Sequence, residues 1–131
     1  MADGLHYRAA WLAIGYGLVA ATAWGSLTPA PPSWAFAIGD KILHGATYAL
    51  LTFWFGQLYT GAGRQALLVV AFSLLGVLLE VGQAYSSVYR HFDIADALAS
   101  AIGAAVAWAL LRTLLGRVLA RVDAWLVERV A

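Results

Sequence analysis

Long apolar runs separated by short polar segments divide the chain into four candidate helices. The first run lies at about residues 9–27, and the whole stretch from Ala9 to Gly39 contains no Asp, Glu, Lys or Arg. Three further runs lie at about residues 40–59, 66–84 and 94–112. Because a helix of about 20 apolar residues spans the hydrocarbon of a bilayer, this pattern predicts an all-α membrane protein with four transmembrane helices. The short connections predict an antiparallel bundle.

The first apolar run has a second interpretation, as a secretory signal peptide. Its flank carries Arg8 against Asp3, and the run is longer than the usual apolar region of about 7–15 residues. The segment "TPAPPSW" follows, and its prolines end the helix because they fix φ and donate no backbone hydrogen bond. These features favour a first span that is retained.

The last segment, residues 113–130, has a different pattern. Apolar side chains recur at helical spacing, while Arg117, Arg121 and Glu128 lie on the opposite side. This arrangement predicts an amphipathic helix on the membrane surface. The alternative is that the fourth span simply continues past Arg112 into the cytoplasm.

Composition agrees with a membrane protein and excludes several kinds of site. The chain is 63% hydrophobic and 11% charged, whereas a soluble domain averages about 25% charged residues. Its 131 residues fit a single domain, 1–131. A net charge of +1 argues against binding of nucleic acid. The absence of cysteine excludes disulfides and thiolate metal sites, and three histidines exclude sites built on many imidazoles.

Basic residues are distributed unequally between the two sides that four spans would create. The side opposite both termini holds only two basic residues, Lys41 and Arg90. The side with both termini and the "TGAGRQ" connection holds Arg8, Arg64, Arg112, Arg117, Arg121 and Arg129. Because Lys and Arg concentrate in cytoplasmic loops, we expect both termini in the cytoplasm.

Polar residues collect at the predicted outer ends of the second, third and fourth spans. Residues three or four apart share a helix face, so the three polar faces can converge at one membrane depth. The residues concerned are Asp40, Lys41, His44, Tyr48, Glu80, Gln83, Arg90, Asp93, Asp96 and Ser100. Four carboxylates against one Lys and one Arg leave an excess of two negative charges. A protonated histidine, a carboxylate with a raised pKa or a bound divalent cation would balance this charge.

We expect these side chains to form a functional pocket. The candidate catalytic residues are His44, Glu80 and Asp96, and any metal would be held by Asp93, Asp96 and Glu80. The ligand-binding candidates are Asp40, Lys41, Tyr48, Gln83, Arg90, Asp93 and Ser100. A structural interpretation is also open, in which Gln83 and Ser100 bond neighbouring helices and Asp93 only caps the fourth helix. The small residues Gly76, Gly103, Ala104 and Ala107 are predicted to allow close helix packing.

In this region the sequence resembles the VanZ-like family of small bacterial membrane proteins. The family pattern Asp-Lys-x-x-His with a later Tyr is matched by "DKILHGATY", and Gly-x-x-x-Glu-x-x-Gln is matched by "GVLLEVGQ". The third pattern, Arg-x-x-Asp-x-x-Asp-x-x-x-Asn-x-x-Gly, is matched by "RHFDIADALASAIG", with Ser100 in place of the Asn. The resemblance covers about residues 40–103. It implies a four-helix protein of the bacterial cytoplasmic membrane, in a family named for low-level resistance to the antibiotic teicoplanin.

Three functions are compatible with such a pocket. The first is binding of an envelope lipid or lipid-linked glycan at the outer leaflet, with Lys41 and Arg90 on its phosphate or carboxylate. In an enzymatic version, His44 or Glu80 would be the general base, and the aspartates of the fourth span would bind a cation. The second is a non-catalytic membrane subunit or stabiliser whose cluster only locks helix packing. The third is ion or proton transfer.

Overall fold

The computed structural model describes residues 4–27, 37–86 and 92–130, and its regular structure in these ranges is entirely helical. The predicted all-α class is therefore confirmed. The helices are α1 (Arg8–Leu27), α2 (Ala37–Leu58), α3 (Ala62–Ser86), α4 (Ile94–Leu111) and α5 (Val118–Val130), with a 3₁₀ turn at Leu114–Arg117.

Three of these helices, α1, α3 and α4, are long and apolar enough to cross a membrane. The second helix is not among them, and its 22 residues include Asp40, Lys41, His44 and Gln57. The described residues therefore contain three candidate membrane spans. The fourth span at α2 stays a prediction.

Helix α2 supplies most of the main cluster of buried apolar residues. One face of α2 contributes Tyr48, Leu51, Phe55 and Leu58, which are between 0% and 4% exposed. Phe72 of α3 and Leu119 of α5 complete the same buried cluster. Since the inner face of α2 contacts protein, α2 can carry polar side chains that would be costly against lipid.

Helix α4 buries its small residues and exposes most of its large apolar ones. The small residues that are buried are Ala97, Ser100, Gly103, Ala104 and Ala107, and Asp96 and Leu111 are buried with them. The outward stripe, between 38% and 64% exposed, consists of Leu98, Ile102, Val106 and Leu110. Helices in lipid pack in this way, because small residues let backbones approach and no water disfavours the exposed apolar side chains.

Glycines set the closest approach between helices. A Cβ atom added at Gly103 of α4 would overlap the backbone carbonyl of Gly45 in α2. A Cβ added at Gly76 of α3 would lie 3.0 Å from the Cβ of Ser100. Ala104 and Ala107 are 0% exposed. The predicted close-packing role of these small residues is confirmed.

The segment after α4 is a separate element. Helix α4 ends at Leu111 with Arg112 as its C-cap, and the hydroxyl of Thr113 accepts a hydrogen bond from the N–H of Leu115 at 3.2 Å. Helix α5 then begins at Val118. The alternative in which the fourth span continues past Arg112 is therefore wrong.

The observed helix bounds differ slightly from the predicted ones. Helices α2 and α3 begin at Ala37 and Ala62, earlier than the predicted 40 and 66. The predicted starts followed the first charged residue of "IGDK" and the first leucine run after "TGAGRQ". The helical backbone of α2 thus begins three residues before its predicted start, and that of α3 begins four residues before its own.

Candidate functional site

The predicted polar residues of α2, α3 and α4 lie together at one end of the helices. The part of this group with direct contacts comprises Lys41 and His44 of α2, Glu80 of α3, and Asp93 and Asp96 at the start of α4. We refer to these five residues as the polar cluster. Five of the predicted site residues therefore lie in contact, and they come from α2, α3 and the start of α4.

Lys41 joins α2 to the start of α4. Its Nζ lies 3.2 Å from Oδ2 of Asp93 and 3.1 Å from Oδ1 of Asp96. The side chains of Lys41 and Asp93 are 37% and 44% exposed, whereas that of Asp96 is 7% exposed. The cluster therefore opens at Lys41 and Asp93 and closes towards Asp96.

Asp93 is the N-cap of α4, as the structural interpretation predicted. Its Oδ1 accepts a hydrogen bond from the N–H of Ala95 at 2.8 Å, while its own N–H donates to Oε1 of Glu80 at 3.3 Å. The hydrogen bond from Ala95, and then the bond from Lys41, hold the pKa of Asp93 below its ordinary value. One residue thus caps α4 and connects it to α2 and α3.

His44, Glu80 and Asp96 form the inner part of the cluster. Nε2 of His44 lies 3.6 Å from Oε2 of Glu80, with side-chain exposures of 16% and 3%. One potential ligand atom from each of the three residues lies within 4.8 Å of the others, so the group can hold a metal ion. The prediction had placed Asp93 beside Glu80 and Asp96 as a metal ligand. Among the described residues, the group close enough to hold a metal ion contains His44 with Glu80 and Asp96, while Oδ1 of Asp93 caps α4. The predicted metal role of Asp93 stays a prediction.

Three further predicted site residues lie around this inner part. The hydroxyl of Ser100 donates to the backbone carbonyl of Asp96 at 3.0 Å, so its hydrogen bond lies within α4. The ring of Tyr48 is buried and faces the same Gly76 that packs on Ser100. Gln83 is buried one turn beyond Glu80 on α3.

The cluster has more negative than positive groups. Glu80, Asp93 and Asp96 supply three carboxylates, and Lys41 supplies one ammonium. With His44 neutral, these five residues carry an excess of two negative charges. The Asp40 side chain and Arg90 lie outside the described residues, so their predicted roles stay predictions.

The opposite end of the helices contains polar contacts that the sequence analysis did not predict. The buried carboxylate of Asp123 in α5 accepts hydrogen bonds from the backbone N–H groups of His6 and Tyr7, at 2.7 and 2.9 Å, and from Nε1 of Trp11 at 2.7 Å. Oε1 of Gln57 accepts from the N–H of Leu119 at 2.8 Å. The only sequence signal was an acidic residue in an amphipathic helix, which does not identify a partner more than a hundred residues away.

Comparison of the chain with protein-family models, with curated proteins and with solved structures gives no match. The similarity to the VanZ-like family therefore rests on the three sequence patterns alone. The function has to be argued from the geometry of the polar cluster.

Proposed function

We propose that this protein is a VanZ-like membrane protein whose polar cluster binds the headgroup of an envelope lipid or a lipid-linked glycan. The observation that carries the proposal is the burial of charge: Glu80 and Asp96 are 2% and 5% exposed and come from different helices. Ionisable residues inside membrane segments are costly and usually mark a binding or reaction site. Their position near helix ends fits a ligand that lies at the membrane interface.

In this proposal α2 is the fourth span and the helices form an antiparallel bundle. Its Lys41 and His44 contact residues of α3 and α4. Since these contacts direct the polar side chains towards protein, α2 can cross a membrane despite its lower apolarity. Helix α5 would lie on the membrane surface.

The distribution of arginine supports an outer-leaflet location for the cluster. Arg8 begins α1, Arg64 lies in the first turn of α3 and Arg112 follows α4, all at the ends remote from the cluster. Arg117, Arg121 and Arg129 lie on the 3₁₀ turn and α5. By the positive-inside rule, both termini would face the cytoplasm of a bacterial cytoplasmic membrane.

The open side of the cluster suits a polar headgroup. The partly exposed Lys41 and Asp93 can exchange their mutual contact for bonds to sugar hydroxyls or a phosphate oxygen. The exposed stripe of Leu98, Ile102 and Val106 lies on the outward face of α4, where it would contact the lipid chain. An enzymatic version would use His44 or Glu80 as general base in the same pocket.

A second function is favoured by one specific observation. Each described carboxylate of the cluster already has a protein partner: Asp93 and Asp96 contact Lys41, and Glu80 contacts His44 and the Asp93 N–H. A cluster whose only role is to lock helix packing would have this property. The protein would then be a non-catalytic membrane subunit or stabiliser.

Substitution of the cluster separates the two functions. We expect the detergent-purified protein to carry a lipid in native mass spectrometry. Glu80→Gln and His44→Ala should weaken its affinity for that lipid about tenfold, which corresponds to ~1.4 kcal/mol, and should lower the lipid-bound fraction. Yield and melting temperature should stay close to those of the unsubstituted protein. Glu128→Gln, the same chemical change on the exposed face of α5, is the matched control.

The packing function gives the opposite result. Removing one partner from a buried ion pair that only holds helices costs about 3–5 kcal/mol of stability. A large loss of melting temperature in Glu80→Gln, with unchanged lipid occupancy in the protein that remains folded, would replace headgroup binding with the packing function.

A further inference from the structure

We propose that His44, Glu80 and Asp96 bind a divalent transition-metal ion, of which Zn²⁺ is the one we test. The three residues come from α2, α3 and α4, and one ligand atom of each lies within 4.8 Å of the others. A cation at this point would bind all three helices. The proposed metal site lies in the inner part of the polar cluster. Lys41 and Asp93, at the open side of the cluster, are not among its ligands.

The spacing of His44 and Glu80 fits two ligands of one ion better than a direct bond. Nε2 of His44 and Oε2 of Glu80 are 3.6 Å apart, beyond the range of a nitrogen–oxygen hydrogen bond. Two ligands at about 2.1 Å from a tetrahedral Zn²⁺ lie about 3.4 Å from each other. The observed separation is therefore close to the one that the ion requires. A small movement of Asp96 would complete the third position.

The charge of the cluster gives an independent reason for a cation. The five residues hold three carboxylates and one ammonium, an excess of two negative charges with His44 neutral. One divalent ion would neutralise this excess beside the buried carboxylates of Glu80 and Asp96. Asp96 contacts Lys41 through Oδ1, and a carboxylate has a second oxygen with which it can bind a cation.

The remaining cluster residues fit the role of support for the three ligands. Asp93 uses Oδ1 to cap α4 and Oδ2 to bind Lys41, while its N–H donates to Oε1 of Glu80. Lys41 in turn holds Asp96. Hydrogen bonds of this kind orient metal ligands and strengthen binding. Asp93 therefore positions a ligand, which differs from its predicted place in the ligand set.

The donor types favour a transition metal over calcium or magnesium. Calcium and magnesium prefer all-oxygen sites with six or more ligands, whereas an imidazole with two carboxylates suits transition metals such as Zn²⁺. Three protein ligands leave a fourth tetrahedral position open, as in catalytic zinc sites. A phosphate oxygen of a headgroup can occupy that position. This last step rests on the proposed function, whereas the cation site does not.

The test is zinc binding by the full chain in detergent. After removal of metal with EDTA, titration with ZnCl₂ should show one ion per chain, and elemental analysis after desalting should find the same ratio. We expect His44→Ala and Asp96→Asn to weaken the affinity at least tenfold. His6→Ala, which removes an exposed imidazole outside the cluster, and Glu128→Gln should leave it unchanged.

A second measurement keeps the result clear if a variant folds poorly. Saturating ZnCl₂ should raise the melting temperature of the unsubstituted protein and of His6→Ala, and should not raise that of Asp96→Asn. The proposal would be overturned if the unsubstituted protein bound no stoichiometric zinc. It would also be overturned if His44→Ala and Asp96→Asn bound zinc with the same affinity as the unsubstituted protein. If a lipid copurifies with the unsubstituted protein but the protein binds no zinc, the cation site is rejected and headgroup binding stands. If the protein binds zinc but no lipid copurifies, headgroup binding is rejected and the cation site stands.

Discussion

Lys41 shows how the partner of a single residue changes its interpretation. In the sequence, a lysine near a predicted outer helix end suggests contact with lipid phosphates. In the structure its Nζ contacts Asp93 and Asp96. The N-cap position of Asp93 explains this, because capping directs a carboxylate to the start of α4 where the α2 lysine reaches it. An anionic ligand would have to compete with both aspartates.

Thr52 has a buried hydroxyl group that makes no hydrogen bond among the described residues. Its side chain is 0% exposed. An unsatisfied buried polar group costs free energy, and its replacement by an apolar group of similar shape is nearly neutral or stabilising. We therefore expect Thr52→Val to leave the free energy of unfolding unchanged or to raise it by up to about 1 kcal/mol. Denaturation in detergent measures this change.

The matched control for this prediction is Thr22→Val. The hydroxyl of Thr22 donates to the carbonyl of Leu18 at 2.8 Å, so the same substitution removes a real bond. Thr22→Val should not be stabilising. If Thr52→Val were the more destabilising of the two, the hydroxyl of Thr52 would have a partner that this structure does not contain.

At the scale of elements, the contact between α2 and α4 depends on two facing glycines. The backbones of Gly45 and Gly103 approach so closely that no Cβ fits at position 103. This contact brings the starts of both helices together, and the polar cluster lies there. The packing of small residues therefore sets the distances within the site.

We expect Gly103→Ala to destabilise the protein by about 1–3 kcal/mol, because the added methyl group overlaps backbone that cannot rotate away. Thermal unfolding in detergent measures this loss. Zinc or lipid binding should weaken in the same variant, since α2 and α4 would separate.

Gly17→Ala in α1 is the control for this substitution. A Cβ at Gly17 meets nothing within 4 Å. Since alanine favours helix over glycine by up to about 1 kcal/mol, Gly17→Ala should leave stability unchanged or improve it. Equal stability of the two variants would show that α2 and α4 are not in this close contact.

At the scale of the whole molecule, Asp123 joins the two ends of the chain. The first N–H groups of a helix have no partner inside it, and a carboxylate nearby satisfies them and interacts favourably with the helix dipole. Asp123 of α5 does so just before α1, with a further bond from Trp11. Helix α5 is thereby held against the start of α1.

The charge of Asp123 makes this connection dependent on pH. Burial raises the pKa of Asp123, but the hydrogen bonds from Trp11, Tyr7 and His6 together outweigh it, so the pKa lies below the ordinary value of 3.8. A carboxylate with a lowered pKa stabilises the folded state above its unfolded pKa and loses this effect as pH falls through its folded pKa. The stabilisation is thus complete near neutral pH.

We expect Asp123→Asn to lower the free energy of unfolding by about 0.5–2 kcal/mol near pH 7, in the range found for lost helix caps. The difference from the unsubstituted protein should shrink as the pH falls below 3.8, the ordinary pKa of an aspartate, and through the lowered pKa of the native carboxylate. Melting temperatures of both proteins across this range measure it. A difference that is constant with pH would contradict a role for the charge, and Glu128→Gln should show no difference at any pH.

Much of the fold and part of the candidate site were predictable from local pattern. Helix periodicity and length predicted α1, α3 and α4, and the spacing of His44, Glu80 and Asp96 indicated faces that could meet. Which carboxylate accepts from which donor was not predictable, because it depends on distances of an ångström or less between helices. Asp123 was missed for a related reason, since its partners are more than a hundred residues away along the chain.

The sequence by itself determined that the chain is helical, that its helices are largely apolar, and that its few ionisable residues collect near helix ends. These properties depend on composition and periodicity, which act within one helix. Only the tertiary structure decided that α2 supplies most of the main apolar cluster, that Lys41 pairs with two aspartates, and that His44 lies beside Glu80. The contacts of Lys41 lie where the glycines of α2 and α4 let two backbones touch, and such an approach is a property of the packed helices together.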